Sequence, residues 1–257
     1  MSDPTRLEGR CPRPARLDLA LVEAGLFPTR QRAQAAVVAN LVRVDGTVVG
    51  KTSQRVEAGA LLEAEDPLPY VGRGGLKLEA ALNRFGIPAA GRVALDVGAS
   101  TGGFTDCLLQ RGASRVYAVD VGLGQLAESL RQDERVVNLQ GTDIRRLPPG
   151  SLNPPPDLAV ADVSFISLRL VLPHVLAQLA PGPADLVALV KPQFEVGPAK
   201  VGKGGLVRRE ADRLAALEAV KGLAAELGLL LQGSLQSPLT GGDGNVEYLA
   251  YWRKGTR

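Results

Sequence analysis

At 257 residues the chain is long enough for one large domain, or for a catalytic domain with a small module attached. An apolar fraction of 45% supplies a core and a charged fraction of 22% argues against wholesale disorder, while a net charge of +3 and an isoelectric point near 9.0 permit nucleic-acid binding without requiring it. Two distant cysteines, Cys11 and Cys107, and a single histidine, His174, offer no metal-ligand spacing, no disulfide framework and no Ser/His/Asp or Cys/His arrangement, so no metal is expected and a general base must be Lys, Asp or Glu. The N-terminus carries Asp3 and Glu8 in place of an apolar signal core, and no run approaches the ~20 apolar residues of a spanning helix, which together predict a cytoplasmic protein.

Residues 1–15 are polar and proline-rich and are expected to be disordered. From Arg16 the pattern changes. Leu17, Ala20, Leu21 and Ala24 recur at helical spacing, with Gly25 placed to end the helix. Thr29 reads as the N-cap of a second helix whose apolar face is Ala33, Ala36 and Val37. The period then switches to two, with Val42, Val44 and Val48 flanking the hairpin signal Asp45-Gly46, and a further strand follows near Leu61. Residues 16–66 thus form a small α+β domain, and Pro-Leu-Pro-Tyr-Val at 67–71 is a semi-rigid linker to a domain spanning 72–257.

A helix over 76–85 opens that second domain, after which strands and helices alternate. Strands are predicted at 93–97, 116–120, 136–139, 158–161, 185–190, 229–236 and 246–252, with helices at 103–111, 124–131, 168–179 and 210–227. Such alternation implies an α/β, Rossmann-like, doubly wound sheet with helices on both faces.

The first strand runs into Leu-Asp-Val-Gly-Ala-Ser-Thr-Gly-Gly-Phe at 95–104. The glycines at 98, 102 and 103 do not fit the dinucleotide spacing G-x-G-x-x-G. An acid in the strand followed by a glycine turn is instead similar to the first motif of S-adenosylmethionine methyltransferases. In that reading Gly98, Ser100, Gly102, Gly103 and Phe104 shape the turn, with bare backbone against the methionine part of the cofactor, and Asp96 receives its ammonium group. Asp120 ends the second strand, where an acid holds a ribose diol, and Asp143 follows the third, placed to accept from the adenine amino group.

Five separated stretches carry a closer resemblance: Tyr-Val-Gly-Arg-Gly-Gly-Leu-Lys-Leu-Glu-Ala-Ala-Leu at 70–82, the turn at 95–104, Ala-Asp-Val-Ser-Phe-Ile-Ser-Leu-Arg at 161–169, Leu-Val-Lys-Pro-Gln-Phe-Glu at 189–195 and Gly-Asn-Val-Glu-Tyr at 244–248. Their order resembles the TlyA (hemolysin A) family of ribosomal RNA 2′-O-methyltransferases, and the second half also looks like the FtsJ-type enzymes. The resemblance implies a Lys-Asp-Lys-Glu tetrad at Lys77, Asp162, Lys191 and Glu247. The residues support the same four: Asp162 and Lys191 follow adjacent strands at the ligand edge of the sheet, Glu247 starts a late strand after a glycine-rich loop, and Lys77 lies on the entering helix. Lys191 is assigned as the base for a ribose 2′-hydroxyl, with Asp162 orienting it, Lys77 as a second cation, and Glu247 holding Lys77 or the ribose. Ser164, Phe165 and Phe194 either shape the nucleotide pocket or simply pack.

Residues 16–66 resemble the small RNA-binding module of ribosomal small-subunit proteins, some pseudouridine synthases and tyrosyl-tRNA synthetases, through Thr-Arg-Gln-Arg-Ala-Gln-Ala-Ala-Val at 29–37 and Leu-Val-Arg-Val-Asp-Gly at 41–46. Arg30, Arg32 and Arg43 are expected to line one face, with Lys51 and Arg55 nearby, because a planar guanidinium grips phosphate with two donors. The glycine-rich basic stretch 200–209, with Lys203, reads either as an element that closes over bound RNA or as a mobile surface loop. The expected partner is ribosomal RNA or a ribosomal subunit and no membrane. The resemblance implies that members modifying both subunits carry an extended C-terminal tail, which this sequence is expected to lack, so the expected substrate is a cytidine of large-subunit RNA. The alternatives are a non-enzymatic RNA-binding assembly factor, a small-molecule methyltransferase, and a hemolysin.

Overall fold

The computed structural model describes residues 6–65 and 69–255. They fall into two compact units, Met1–Pro69 and Tyr70–Arg257. The division lies within the segment expected to be a linker, of which residues 67 and 68 lie outside the described ones.

In the first unit the elements run β1 (Arg6–Arg10), β2 (Ala15–Arg16), α1 (Leu17–Glu23), α2 (Arg30–Val38), β3 (Val42–Val44), β4 (Thr47–Val48), β5 (Arg55–Val56) and β6 (Leu61–Glu65). Thr29 caps α2, its hydroxyl accepting from the Arg32 amide at 3.3 Å. Asp45 and Gly46 both adopt positive φ, 48° and 78°, as a two-residue hairpin between β3 and β4 requires. Leu17, Leu21, Phe27, Val37 and Leu62 close the core of this unit.

The expectation of disorder before Arg16 does not hold for the described part of that segment; residues 1–5 lie outside it. β1 pairs antiparallel with β6, from Arg6 opposite Glu65 to Arg10 opposite Leu61. A Cβ on Gly9 would lie 2.5 Å from Leu26 Cδ1, so the bare backbone there leaves room for the Leu26 side chain. Cys11 then exchanges backbone bonds with Gly59 and Ala60 and is buried. A long-range sheet pairing, invisible to composition, orders this segment.

The second unit continues with α3 (Gly74–Phe85), β7 (Val93–Val97), α4 (Gly103–Gln110), β8 (Arg115–Asp120), α5 (Glu128–Arg131), β9 (Val136–Gln140), β10 (Leu158–Ala161), α6 (Leu168–Leu176), β11 (Ala184–Val190), α7 (Pro192–Glu195), α8 (Glu210–Glu226), β12 (Leu229–Gln236) and β13 (Tyr248–Lys254). The sheet order is β12-β13-β11-β10-β7-β8-β9, with β13 antiparallel to both of its neighbours. Strand residues alternate between two cores. Leu95, Val97, Ala159, Leu186 and Val190 face a layer containing α6 and α8, while Ala94, Leu158, Val160, Val187 and Leu189 face α3 and α4. Both faces being covered explains the nearly continuous apolar strands. The chain reverses direction across the sheet between β7 and β10, whose carboxyl ends form the usual ligand edge.

Two helices fall short of their predicted spans by more than one residue: 168–179 is helical over Leu168–Leu176, and 124–131 only over Glu128–Arg131, where Gly124 has a φ of 68° and Ala127 is an extended N-cap.

Candidate active site

The turn after β7 is built from glycines that cannot be replaced in place. Gly98 has a φ of 87°, and a Cβ on it would collide with the backbone carbonyl of Asp162. Its amide and that of Ala99 donate to the Val119 carbonyl at 2.8 and 3.2 Å, which ties the turn to β8. Gly102 has a φ of 98°, and a Cβ there would collide with Leu130. At Gly103 a Cβ would lie 3.0 Å from the Gly75 amide nitrogen, so the turn and the start of α3 pack backbone against backbone.

A cleft of about 900 Å³ opens at this edge, with Gly98, Ser100, Asp120, Asp143, Asp162 and Phe165 in its wall. Asp120 is held by two amides, Ser100 N donating to Oδ2 at 2.8 Å and Gly122 N to Oδ1 at 2.7 Å. Asp143 caps the short turn Ile144–Arg146 and accepts the Arg145 guanidinium at 2.6 Å, a hydrogen bond that holds its carboxyl below the usual range.

The other predicted cofactor residues stand behind this wall. Asp96 is 0% exposed; its Oδ2 accepts the Thr105 hydroxyl at 2.6 Å, while its Oδ1 is buried without a partner. Burial pushes its carboxyl up to about 7. Phe104 is also buried, and a Cβ on Gly74 would meet its ring at 3.4 Å, so it packs under α3. Sequence reasoning missed the apolar part of the wall, Val121 and Ile144, and Gln125, whose Oε1 accepts the Ser100 hydroxyl at 3.2 Å. Their signal was adjacency to Asp120 and Asp143. The cleft wall suits S-adenosylmethionine, with bare backbone at Gly98, fixed acceptors at Asp120 and Asp143 and apolar side chains between them, whereas Asp96, expected to receive the ammonium group, is fully buried and outside the wall.

The four tetrad positions converge on the same edge as two ion pairs. Asp162 directly follows β10, and its amide donates to the Val97 carbonyl at 2.8 Å, which sets it beside Gly98. Lys191 directly follows β11; its Nζ lies 2.6 Å from Asp162 Oδ1 and donates to Ser164 Oγ at 2.8 Å. Glu247 directly precedes β13, and the pairing of Val190 with Tyr248 carries Lys191 and Glu247 to facing ends of neighbouring strands. Lys77 reaches Glu247 from α3 at 2.5 Å, with the two residues 8% and 2% exposed. Of the two options expected for Glu247, the structure shows the ion pair with Lys77. Phe165 adopts a φ of 63°, unusual for a side chain of its size, and its ring is 92% exposed, with the Phe194 ring 5.3 Å away.

In the segment 200–209 the turn bearing Lys203 is fastened. The Val207 amide donates to Asn245 Oδ1 at 2.9 Å, and Asn245 Nδ2 donates to the Gly205 carbonyl at 2.8 Å. These two bonds tie the turn that bears Lys203 to the loop before β13.

In the first unit Arg30, Arg43, Lys51 and Arg55 are exposed and Arg32 is half-buried. The residue that holds Arg30, missed in the sequence, is Asp18. It is fully buried and accepts Arg16 at 3.1 Å, Arg30 at 2.8 Å and Gln34 at 2.7 Å. Burial works against this carboxylate, yet these hydrogen bonds hold it far below the ordinary range. Arg16 in turn lies opposite Arg55 in the β2–β5 pairing, so the carboxylate anchors two arginines and one of them neighbours a third. Arg43 lies on β3 instead, where it donates to the Gly46 carbonyl at 3.3 Å.

Fold and cleft define a class, the S-adenosylmethionine-dependent methyltransferases of Rossmann-like architecture. Residues 70–254 match the FtsJ-like methyltransferase family and residues 15–62 match the S4 domain. The chain is 48% identical over 246 residues to the 16S/23S rRNA (cytidine-2′-O)-methyltransferase TlyA of Mycobacterium tuberculosis, covering 95% of this chain and 91% of that one. It is 37% identical over 238 residues to Hemolysin A of Brachyspira hyodysenteriae, covering 92% and 99%. A solved structure of a hemolysin-named protein from Streptococcus thermophilus superposes with a TM-score of 0.74 at 42% identity, covering 95% and 90%. The chain belongs to the TlyA (hemolysin A) family of FtsJ-like methyltransferases. Among the described residues no helix is long and apolar enough to cross a membrane.

Proposed function

We propose that this chain methylates the ribose 2′-hydroxyl of a cytidine in ribosomal RNA, with large-subunit RNA as the first substrate to test, and that it works in the cytoplasm. The observation that carries the reading is the Lys191–Asp162 pair at 2.6 Å, set at the cleft beside the Gly98 turn. The M. tuberculosis relative's name supplies the cytidine and the ribosomal RNA.

S-adenosylmethionine, when bound, supplies an electrophilic methyl group. Gly98, Ser100, Asp120 and Asp143 hold it, with Asp96, Gly102, Gly103 and Phe104 supporting the turn from behind. A hydroxyl must lose its proton as its oxygen attacks, and Lys191 Nζ is the group placed to take that proton. Asp162 fixes the direction of the amine, and Ser164 Oγ accepts its second hydrogen bond. The Lys77–Glu247 pair closes the far side of the site and keeps a second cation near the reacting oxygen. Most of the acceleration comes from placing the hydroxyl in line. The exposed Phe165 ring offers an apolar face to the target base, and Arg30, Arg32, Arg43, Lys51, Arg55 and Lys203 hold the RNA backbone.

The experiment maps 2′-O-methyl groups on both ribosomal RNAs from cells with and without the gene, followed by transfer assays with Lys191→Ala and Asp162→Ala. One methylated cytidine should disappear with the gene, and both variants should bind RNA yet fail to restore it. An unchanged methylation map, or a near-normal single-turnover rate in either variant, overturns the reading.

A further inference from the structure

Glu195 ends α7, four residues after Lys191, and the chemistry above does not use it. It is half-buried, and burial raises its carboxyl above the ordinary range. Its Oε2 accepts the Ser167 hydroxyl at 2.6 Å, and its Oε1 accepts the Leu168 amide at 2.7 Å. Ser167 is the N-cap of α6, its Oγ accepting from the Arg169 amide at 3.1 Å, and Leu168 is the first residue of that helix. The carboxylate therefore completes the cap and meets the positive end of the helix.

The same short segment grips the loop after β10 at both ends. Lys191 holds its start through Asp162 and Ser164, and Glu195 holds its finish through Ser167 and Leu168. Between the two grips Phe165 is kept at positive φ, and Phe194 of α7 meets its ring at 5.3 Å. A non-glycine residue stays in that conformation only where its surroundings hold it. Nothing else described binds the carboxyl-terminal end of this loop by a charged side chain. We infer that Glu195 is a positioning residue for methyl transfer, clamping the Ser164–Ser167 loop so that Phe165 keeps its place beside the Lys191–Asp162 pair.

The inference rests on the proposed RNA methylation. The test measures single-turnover methyl transfer to ribosomal RNA by the full chain and by Glu195→Ala, Glu195→Gln, Phe165→Ala and Glu195→Ala/Phe165→Ala, each with a melting temperature. Glu195→Ala should lose roughly tenfold to a hundredfold in rate, the scale of a small misplacement of reacting groups. Glu195→Gln, which keeps an acceptor for the Leu168 amide, should recover most of it. The double variant should be no slower than Phe165→Ala alone by more than about twofold, because both substitutions act through one loop. A merely structural glutamate would instead give losses that multiply. If Glu195→Ala fails to fold, Ser167→Ala removes one of the two bonds and is compared with Phe165→Ala in the same way. A folded Glu195→Ala at wild-type rate, or losses that multiply, overturns the inference. A wild-type chain that transfers no methyl to RNA overturns the functional reading, and the inference with it.

Discussion

The Lys77–Glu247 pair allows stability and activity to be separated. The two side chains lie 2.5 Å apart and are 10% and 2% exposed, and Glu247 also sits where a Cβ on Gly241 would approach its Oε1 to 2.7 Å. Lys77→Met keeps an unbranched chain along α3 and removes the cation, which strands a carboxylate in a dry, tightly packed site. Breaking a buried pair from one side costs about 3–5 kcal/mol. At roughly 2–4 °C per kcal/mol for a unit of this size, the melting temperature should drop by about 6–20 °C. Glu247→Leu should cost a similar amount by stranding the ammonium. The double variant removes both charges and fills the space with apolar atoms, an exchange that is often neutral. It should melt within about 3 °C of wild type.

Activity should not follow. If the pair belongs to the methyl-transfer machinery, all three variants lose single-turnover transfer while the double variant stays fully folded by calorimetry. Two results would refute the reasoning. Single variants melting within about 2 °C of wild type would mean that the pair is screened like a surface pair, worth about 0–1 kcal/mol. A well-folded double variant with wild-type transfer would remove Lys77 and Glu247 from the chemistry.

Gly98→Ala should abolish cofactor binding by calorimetry and also lower the melting temperature, since its Cβ meets the Asp162 backbone and its φ is 87°, a combined cost of about 2–4 kcal/mol; unchanged affinity would sink the cofactor assignment. Asp96, raised to about 7 by burial, retains in the folded state a proton that the unfolded chain releases near its ordinary value, so its stability contribution is present at low pH and is lost as pH rises from about 4 through 7. Asp96→Asn should remove a destabilisation of roughly 4 kcal/mol at pH 8 and flatten that pH dependence, and a wild-type unfolding free energy that is the same at pH 5 and pH 8 would contradict it. A chain beginning at Pro69 should fold, bind the cofactor and lose most RNA affinity, with the salt dependence of binding flattened by about 0.7 to 0.9 per lost phosphate contact; intact RNA binding would overturn the role given to the arginines around Asp18. Tyr70 is buried against Gly75 and donates to Glu79 at 2.9 Å, so Tyr70→Ala should cost about 3–5 kcal/mol and weaken cofactor binding through the α3–Gly103 contact, whereas wild-type affinity would confine it to packing.

What could be read in the sequence follows from how the fold stores its chemistry. In a sheet covered on both faces, each strand is an apolar run, and a polar residue just past its carboxyl end stands out. Asp120, Asp162 and Lys191 were visible for that reason, and so was Gly98, because a glycine straight after a buried strand marks a turn that something must approach. The Lys77–Glu247 pair spans 170 positions, and no spacing rule joins them; only motif resemblance brought them together. The disorder assigned before Arg16 failed for the same reason. β1 owes its order to β6, some 50 residues on, and to a glycine gap filled by Leu26.

The residues that escaped notice act on other residues. Asp18 reads as an ordinary first-turn acid, yet its burial turns it into the anchor for Arg16 and Arg30, and through β2 and β5 it fixes the neighbour of Arg55. Asn245 reads as a loop residue within a glycine-rich run, yet its amide group fastens the turn that carries Lys203. Glu195 reads as the tail of a lysine motif, yet its two acceptors cap the helix behind the Phe165 loop. Apart from the bonds between Asp18 and Arg16, each of these hydrogen bonds goes to a protein group 12 or more positions away. Groups that meet RNA or cofactor must be exposed at an edge, and an edge leaves a local mark in sequence. Groups that hold them there are buried, and burial of a polar side chain is a property of the tertiary fold alone. The proposed division of labour at this site therefore has a physical test of its own: replacing Lys191 and Asp162 together by apolar residues should cost little stability while removing transfer, and substitutions at Asp18, Asn245 and Glu195 should lower both.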